Sequence, residues 1–296
     1  MKTPKRLEPL VDDGLIDEVL RPLMSGKEAA VYVVLASGET RCAKVYKEAN
    51  KRSFHKLAEY QEGRKVRSSR KSRAMEKGSR YGRREQEEAW QNAEVDALYR
   101  LADAGVRVPK PHYFIDGVLL MELVVDDEGN AAPRLNDVEL DPEQARAYHH
   151  VMIGEVVKML CAGLIHGDLS EYNVLLTGTG PVIIDLPQAV DAAANNNAEK
   201  MLKRDVNNMA AYFGRFAPEL LRTDYGAEIW SLFEHGKLHP DISLTGSFKR
   251  RDQDADLSSI LREIDAARDE FQGNRQQSGD NDGNADDDES GWDEYR

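Results

Sequence analysis

The sequence predicts an α+β fold in two parts, β-rich with one long helix first and mostly helical afterwards. Three observations carry this. The apolar runs Ala29–Leu35 and Thr40–Tyr46 flank the turn residues Ser37-Gly38-Glu39 and read as a hairpin. Between Gln86 and Ala104, Trp90, Ala93, Ala97, Leu98 and Leu101 recur at helical spacing, with Gly105 as the stop. From Pro142 the helical pattern returns and runs to Cys161, with Gly163 just beyond it.

In chain order, the first twenty residues read as a short polar lead with one amphipathic turn. The hairpin follows, and then a basic stretch, residues 47–84, with helix-like pieces among repeated Ser, Gly and Arg, expected to be a partly ordered insertion. After the Gln86–Ala104 helix, Val106–Val125 supplies VRVPKP, HYFIDG and VLLMELVV, which suggest loop, strand, tight turn and strand. Beyond Gly163 come a loop, a short strand Val174–Leu176, a glycine-containing turn and a buried strand Pro181–Asp185. Ala198–Arg215 and Leu257–Phe271 are expected to be helices. The domain reading is a lead (1–20), a first lobe (21–125) carrying the insertion, a second lobe (126–271) and an acidic tail (272–296). No internal repeat is visible.

Composition excludes several classes. A chain of 296 residues, 41% hydrophobic and 31% charged, has room for a sizeable core. Its longest apolar runs fall far short of the roughly 20 residues of a membrane helix. MKTPKRLEPLVDDG lacks the apolar segment of a signal peptide. Cys42 and Cys161 stand alone, so neither a disulfide scaffold nor a zinc site is expected, and a reducing, cytoplasmic setting fits. The net charge of −13 hides an asymmetry. Between Lys47 and Arg84 there are 14 Lys/Arg against 4 Asp/Glu, whereas Gln272–Arg296 holds 8 acidic residues and 2 basic ones.

The chemistry concentrates in His166-Gly167-Asp168-Leu169-Ser170-Glu171-Tyr172-Asn173, followed by Val182-Ile183-Ile184-Asp185. Phosphoryl transfer needs a carboxylate near the attacking hydroxyl. It also needs oxygen ligands that hold magnesium against the nucleotide phosphates. A loop closed by a short hairpin brings D-x-x-x-x-N and the later Asp to one point. Lys44 in Cys42-Ala43-Lys44-Val45-Tyr46 is the type of strand lysine that reaches the α and β phosphates. It needs a helical carboxylate partner; Glu94 is the candidate, with Glu87 and Glu88 as competitors. Upstream, Ser25-Gly26-Lys27-Glu28-Ala29-Ala30-Val31-Tyr32 sits where a phosphate-covering loop belongs. With one glycine it would contact phosphates partly through the Ser25 and Lys27 side chains.

SGKEAAVY, CAKVYK, HGDLSEYNVL and VIIDLPQAV, with RDVNNMAAYF at Arg204–Phe213, together resemble the RIO family of atypical serine protein kinases. The resemblance runs from about residue 20 to 240. With only about twenty residues before SGKEAAVY, it is closer to the family's first branch, without an N-terminal winged helix, in a short form. It implies a bilobal protein-kinase-like fold and an ATP- and magnesium-dependent serine/threonine protein kinase, with manganese as a substitute ion. Asp168 would be the proton acceptor, Asn173 and Asp185 the metal ligands, and Lys44 the phosphate contact. Asp185 is also the candidate site of an aspartyl-phosphate intermediate. Met121 would be the gatekeeper, with the backbones of Glu122 and Val124 meeting adenine.

Gly167 stands where other protein kinases carry arginine, and Asp185-Leu186-Pro187 replaces D-F-G. Ala217-Pro218-Glu219 is read as a decoy, because a helix and not an activation loop precedes it. Two alternatives stay open at this level. One is a small-molecule phosphotransferase of the aminoglycoside or choline kinase kind. The other is a nucleotide-gated module binding RNA or a ribonucleoprotein, in which ATP turnover is a switch; family members act in maturation of the small ribosomal subunit. The basic stretch 47–84 is either a solvated insertion or a contact for RNA phosphates or a ribosomal particle, with Phe54 and Tyr81 as aromatics that could stack on bases. The protein substrate is not identified by the sequence. His149-His150 are read as structural or surface residues, and His166 as orienting its loop.

Overall fold

The computed structural model describes residues 3–26, 28–47 and 80–248, with side chains from residue 91 onward in the helix that begins at 80. The chain opens with a short helix α1 (Glu8–Asp12) and then builds β1 (Glu18–Ser25), β2 (Ala29–Ala36) and β3 (Glu39–Tyr46). Helix α2 (Arg80–Asp103) follows, then β4 (Pro111–Ile115) and β5 (Val118–Glu122). These strands make one antiparallel sheet in the order β1-β2-β3-β5-β4. The expected hairpin spans the register Ala36↔Glu39. The second hairpin turns at Asp116-Gly117, both at positive φ (+48° and +72°), as a two-residue turn between right-twisted strands requires.

The sheet is covered on both faces. Val34, Ala36, Ala43, Val45, Val118 and Leu120 pack with Leu7, Leu10 and Ile16 in one cluster. Leu119 and Tyr46 point the other way, into the main core with Val95, Leu98 and Leu101 of α2. Alternation of Val118, Leu119 and Leu120 between two apolar layers explains why β5 reads as a continuous apolar run. The polar lead therefore hides an anchor. Leu7, Leu10 and Ile16 are essentially buried, each contributing about 2 kcal/mol of burial. β1 was not legible as a strand, because only Val19 of its eight residues is buried.

The second part starts with α3 (Pro142–Cys161). Asp141 accepts from the Gln144 N–H at 2.8 Å while the Gln144 side chain accepts from the Asp141 N–H at 3.1 Å, a reciprocal cap that sets the start where Pro142 allows it. The short strand β6 (Leu164–Ile165) pairs with β9 (Val190–Asp191), and between them β7 (Val174–Thr177) pairs with β8 (Gly180–Ile183). Helices α4 (Ala198–Phe213) and α5 (Tyr225–Glu234) complete the described fold, and the described residues form one compact unit. The expected helix Leu257–Phe271, the acidic tail and nearly all of the basic stretch lie outside the described residues. Among the described residues no helix is long and apolar enough to cross a membrane.

Candidate active site

Lys44 lies in the interior of the sheet, opposite Val31 on one side and Leu119 on the other. Its ammonium meets Glu94 Oε1 at 2.5 Å and Asp185 Oδ1 at 3.0 Å. Glu94, the partner expected from the sequence, is brought to the lysine; the side chains of its competitors Glu87 and Glu88 lie outside the described residues. Its other oxygen accepts the Tyr46 hydroxyl at 2.7 Å, and the Tyr46 ring packs edge-on to Phe114. The exposures of the three charged side chains, 12% for Lys44, 5% for Glu94 and 46% for Asp185, make the cluster closed at Glu94 and open at Asp185. Burial acts to lower the Lys44 pKa, but Glu94 and Asp185 outweigh it and hold the ammonium above the usual lysine range.

The loop after β6 carries the other carboxylate. Gly167 sits at φ +81°, a left-handed conformation that explains glycine there, and Asp168 is exposed beside it. His166, 2% exposed, ties this loop to the next one. Its Nδ1 accepts from the Asp168 N–H at 3.3 Å, so Nε2 carries the proton and donates to the Ile184 carbonyl at 3.1 Å. Asn173 Nδ2 donates to the Asp168 carbonyl at 2.9 Å, and the Asn173 carbonyl accepts from the Ile184 N–H at 2.9 Å. Asp168, Asn173 and Asp185 are thus linked through single-residue steps. Asp185 itself adopts φ +66°, uncommon for a residue with a side chain.

Helix α4 holds the loop from beneath, through residues of the RDVNNMAAYF segment to which the sequence assigned no individual role. Asp205, 1% exposed, accepts from the Gly167 N–H at 2.7 Å and from the Leu169 N–H at 3.2 Å. Arg204 donates to the Gly167 carbonyl, and Asn208 Nδ2 to the Leu169 carbonyl at 3.0 Å. Burial raises the Asp205 carboxyl to about 6, against the lowering effects of His166, the two N–H donors and Arg204. The signal was Asp205 itself, an acid that helical spacing places on the same buried side as Met201, Leu202 and Met209.

The remaining candidates are more scattered. Ser25 ends β1, where its hydroxyl accepts from Lys47 Nζ at 3.0 Å; the same ammonium donates to the Gly26 carbonyl at 2.6 Å. Lys47, which the sequence assigned to the basic stretch, therefore clasps the loop; Lys27 lies outside the described residues. Met121 is half-buried at the end of β5. The Glu122 N–H is bonded to the Lys110 carbonyl, and the Val124 carbonyl accepts from the Ala132 N–H at 3.0 Å. Glu219 pairs with Arg146 at the surface, each about half exposed, in a short 3-10 helix directly after α4. His149 is buried against Phe213 and Tyr225, and burial lowers its pKa to about 4, while His150 is exposed.

A sequence-family model, described as the RIO domain, matches residues 30–225, a span that holds Lys44, Glu94, Asp168, Asn173, Asp185 and Asp205. The chain belongs to the RIO family. It is 40% identical over 210 residues to the RIO-type serine/threonine-protein kinase Rio1 of Haloferax volcanii, covering 70% of this chain and 67% of that one. A Rio1 of the same description from Methanocaldococcus jannaschii is 32% identical over 202 residues, 68% of this chain and 64% of its own. The human serine/threonine-protein kinase RIO1 is 32% identical over 216 residues, 72% of this chain but 36% of its own length. Membership places the chain among RIO-type serine/threonine protein kinases of the Rio1 kind and implies ATP as phosphoryl donor, protein as acceptor and a kinase-like fold.

Proposed function

We propose that the chain moves the γ-phosphoryl group of ATP to a serine hydroxyl, with Asp168 accepting the hydroxyl proton. The observation that carries this reading is the exposed Asp168 carboxylate, in a loop tied through His166 and Asn173 to Asp185, whose carboxylate meets Lys44. As the new O–P bond forms, the bond from the γ-phosphorus to the β–γ bridging oxygen breaks and ADP departs. Lys44 neutralises charge on the α and β phosphates, positioned by Glu94. The Glu122 and Val124 backbones take adenine, while the Ser25 and Lys27 side chains cover the phosphates. Among the described residues no group of three or more His, Cys, Asp or Glu is arranged to hold an ion. One carboxylate and one carboxamide, Asp185 and Asn173, are oxygen donors of the kind magnesium takes and would hold the ion. Bound there, the ion would supply neutralisation of the developing phosphate charge.

Asp185 has a second proposed role, as acceptor of the phosphoryl group in an aspartyl-phosphate; its half-exposed carboxylate supports that route. The family match favours a protein acceptor over a small-molecule one. The basic stretch 47–84 is the proposed contact for RNA phosphates or a ribosomal particle, in a cytoplasmic protein. The test is incubation with γ-labelled ATP and magnesium, separating acid-stable from hydroxylamine-labile label. Asp168→Ala should lower transfer by about 10²–10⁴-fold while nucleotide binding persists. Asp185→Ala should remove metal-dependent nucleotide binding as well. Full transfer by Asp168→Ala would overturn the assignment of the base. Hydroxylamine-labile label mapped to the peptide that contains Asp185 would identify the aspartyl-phosphate.

A further inference from the structure

Helix α4 carries more on its outer side than the hydrogen bonds to the Asp168 loop require. Glu199, Lys200, Lys203, Arg204, Asn207 and Asn208 line an open cavity of about 460 Å³. Three cations against one carboxylate leave it positive on a chain of net charge −13. Lys203 pairs with Glu199 at 2.5 Å, whereas Lys200 is exposed and has no ion pair among the described residues. Two of the lining residues hold the carbonyls on either side of Asp168: Arg204 that of Gly167, and Asn208 that of Leu169. The cavity therefore begins where the phosphoryl acceptor must lie.

We infer that this groove holds the acidic flank of the protein segment that carries the acceptor serine, an inference that rests on the proposed phosphoryl transfer. Every lining residue ends in a polar or charged group and none is an apolar side chain, so the carbon stems form the walls while charge and hydrogen bonds select the occupant. It contains no aromatic side chain on which a base could stack, which favours an acidic peptide over RNA. Spacing sets the register. Lys200 lies four residues up the helix from Arg204, about 6 Å at 1.5 Å per residue. An extended peptide advances about 3.3 Å per residue, so an Asp or Glu two or three positions from the serine reaches Lys200 and Lys203.

The test uses the full chain, labelled ATP and three serine peptides of equal length, with Glu, Ala or Lys at two and three positions on either side of the serine. The Glu peptide should be favoured over the Ala peptide by about tenfold in kcat/KM, through KM and not kcat, and the preference should shrink as salt rises. Lys200→Glu combined with Lys203→Glu should turn the preference toward the Lys peptide without altering KM for ATP. Lys200→Ala, a milder change at an exposed site, should lose part of the preference. If ADP release or self-labelling shows that transfer works, yet wild type treats the three peptides alike or the reversed variant still prefers Glu, the groove assignment is overturned and the kinase reading stands. If neither ADP nor label forms under any condition, the kinase reading fails and the inference falls with it. A uridine 20-mer bound by wild type but not by the reversed variant, with equal use of all peptides, assigns the groove to RNA and overturns the inference.

Discussion

The two halves of the candidate site are held together by different physics. Around Lys44 the links run from side chain to side chain, between charges on elements 50 and 141 residues apart. Around Asp168 they run from the side chains of His166, Asn173, Arg204, Asp205 and Asn208 to the loop backbone. Two carboxylates sharing one ammonium can redistribute when a polyphosphate arrives, because each contact is a charge pair with an open side at Asp185. A loop whose N–H and C=O groups are all paired from Gly167 to Leu169 is held in shape independently of what occupies the cleft. The charge cluster suits a group that must exchange partners; the pinned loop suits a base that must stay in place.

The sharpest test of the first half is Glu94→Ala. It removes the buried carboxylate that meets Lys44 at 2.5 Å and that accepts from the Tyr46 hydroxyl, and leaves the ammonium to the half-exposed Asp185. The expected loss is about 3–5 kcal/mol in denaturant unfolding, with weaker ATP binding. Glu94→Gln, which keeps an acceptor for Tyr46, should cost less. An unchanged midpoint would mean the ion pair does not anchor α2 to the sheet.

The second half is tested by pH. Burial places the Asp205 carboxyl at about 6 instead of 3.8, so between those values the folded chain binds more protons than the unfolded one. Stability from this group therefore rises as pH falls through 6. Relative to Asp205→Asn, which cannot titrate, wild type should gain about 2 kcal/mol between pH 7 and pH 4.5. His149, lowered to about 4, acts in the opposite direction over the same range, so only the difference from the variant isolates Asp205. Phosphoryl transfer should fall through the same window, because a protonated carboxyl no longer accepts from both the Gly167 and Leu169 N–H groups. In Asp205→Asn transfer should stay at the low-pH level throughout. A variant that matches wild type at pH 7 would show that the loop does not need the pin.

The smallest effect is expected from Tyr46→Phe. It removes one buried hydroxyl but leaves the Lys44–Glu94 pair and the ring contact with Phe114. A loss of about 0.5–1.5 kcal/mol in unfolding free energy, with transfer nearly intact, would confirm that Glu94 is held mainly by the lysine.

Much of this was legible in the chain because the signals are local. The helix start at Pro142, the tight turn after HYFID and the spacing of Asp168 and Asn173 depend on residues a few positions apart, and Asp185 follows Asn173 across a single short hairpin. α3 matches its expected ends, Pro142 and Cys161, and α4 starts as expected at Ala198. Other features had no local signature. β1 is an edge strand with seven exposed residues, so burial stamps no alternation on it. Helix α5 fell in a stretch that carried no assignment. Lys47 looked like the first member of a basic run, yet its ammonium belongs to the Ser25–Gly26 loop.

The sequence by itself determined which groups carry the chemistry and that two apolar hairpins and a run of helices would present them. It also determined the family, since separated motifs in a set order are a linear property. Tertiary structure alone decided which carboxylate meets Lys44, which buried acid holds the Asp168 loop, and which face of α4 lies beside it. Periodicity and capping act over a few residues, whereas a charge pair or a buried carboxylate is selected by distance in space and by exclusion of water. Those two quantities exist only once the chain has closed on itself.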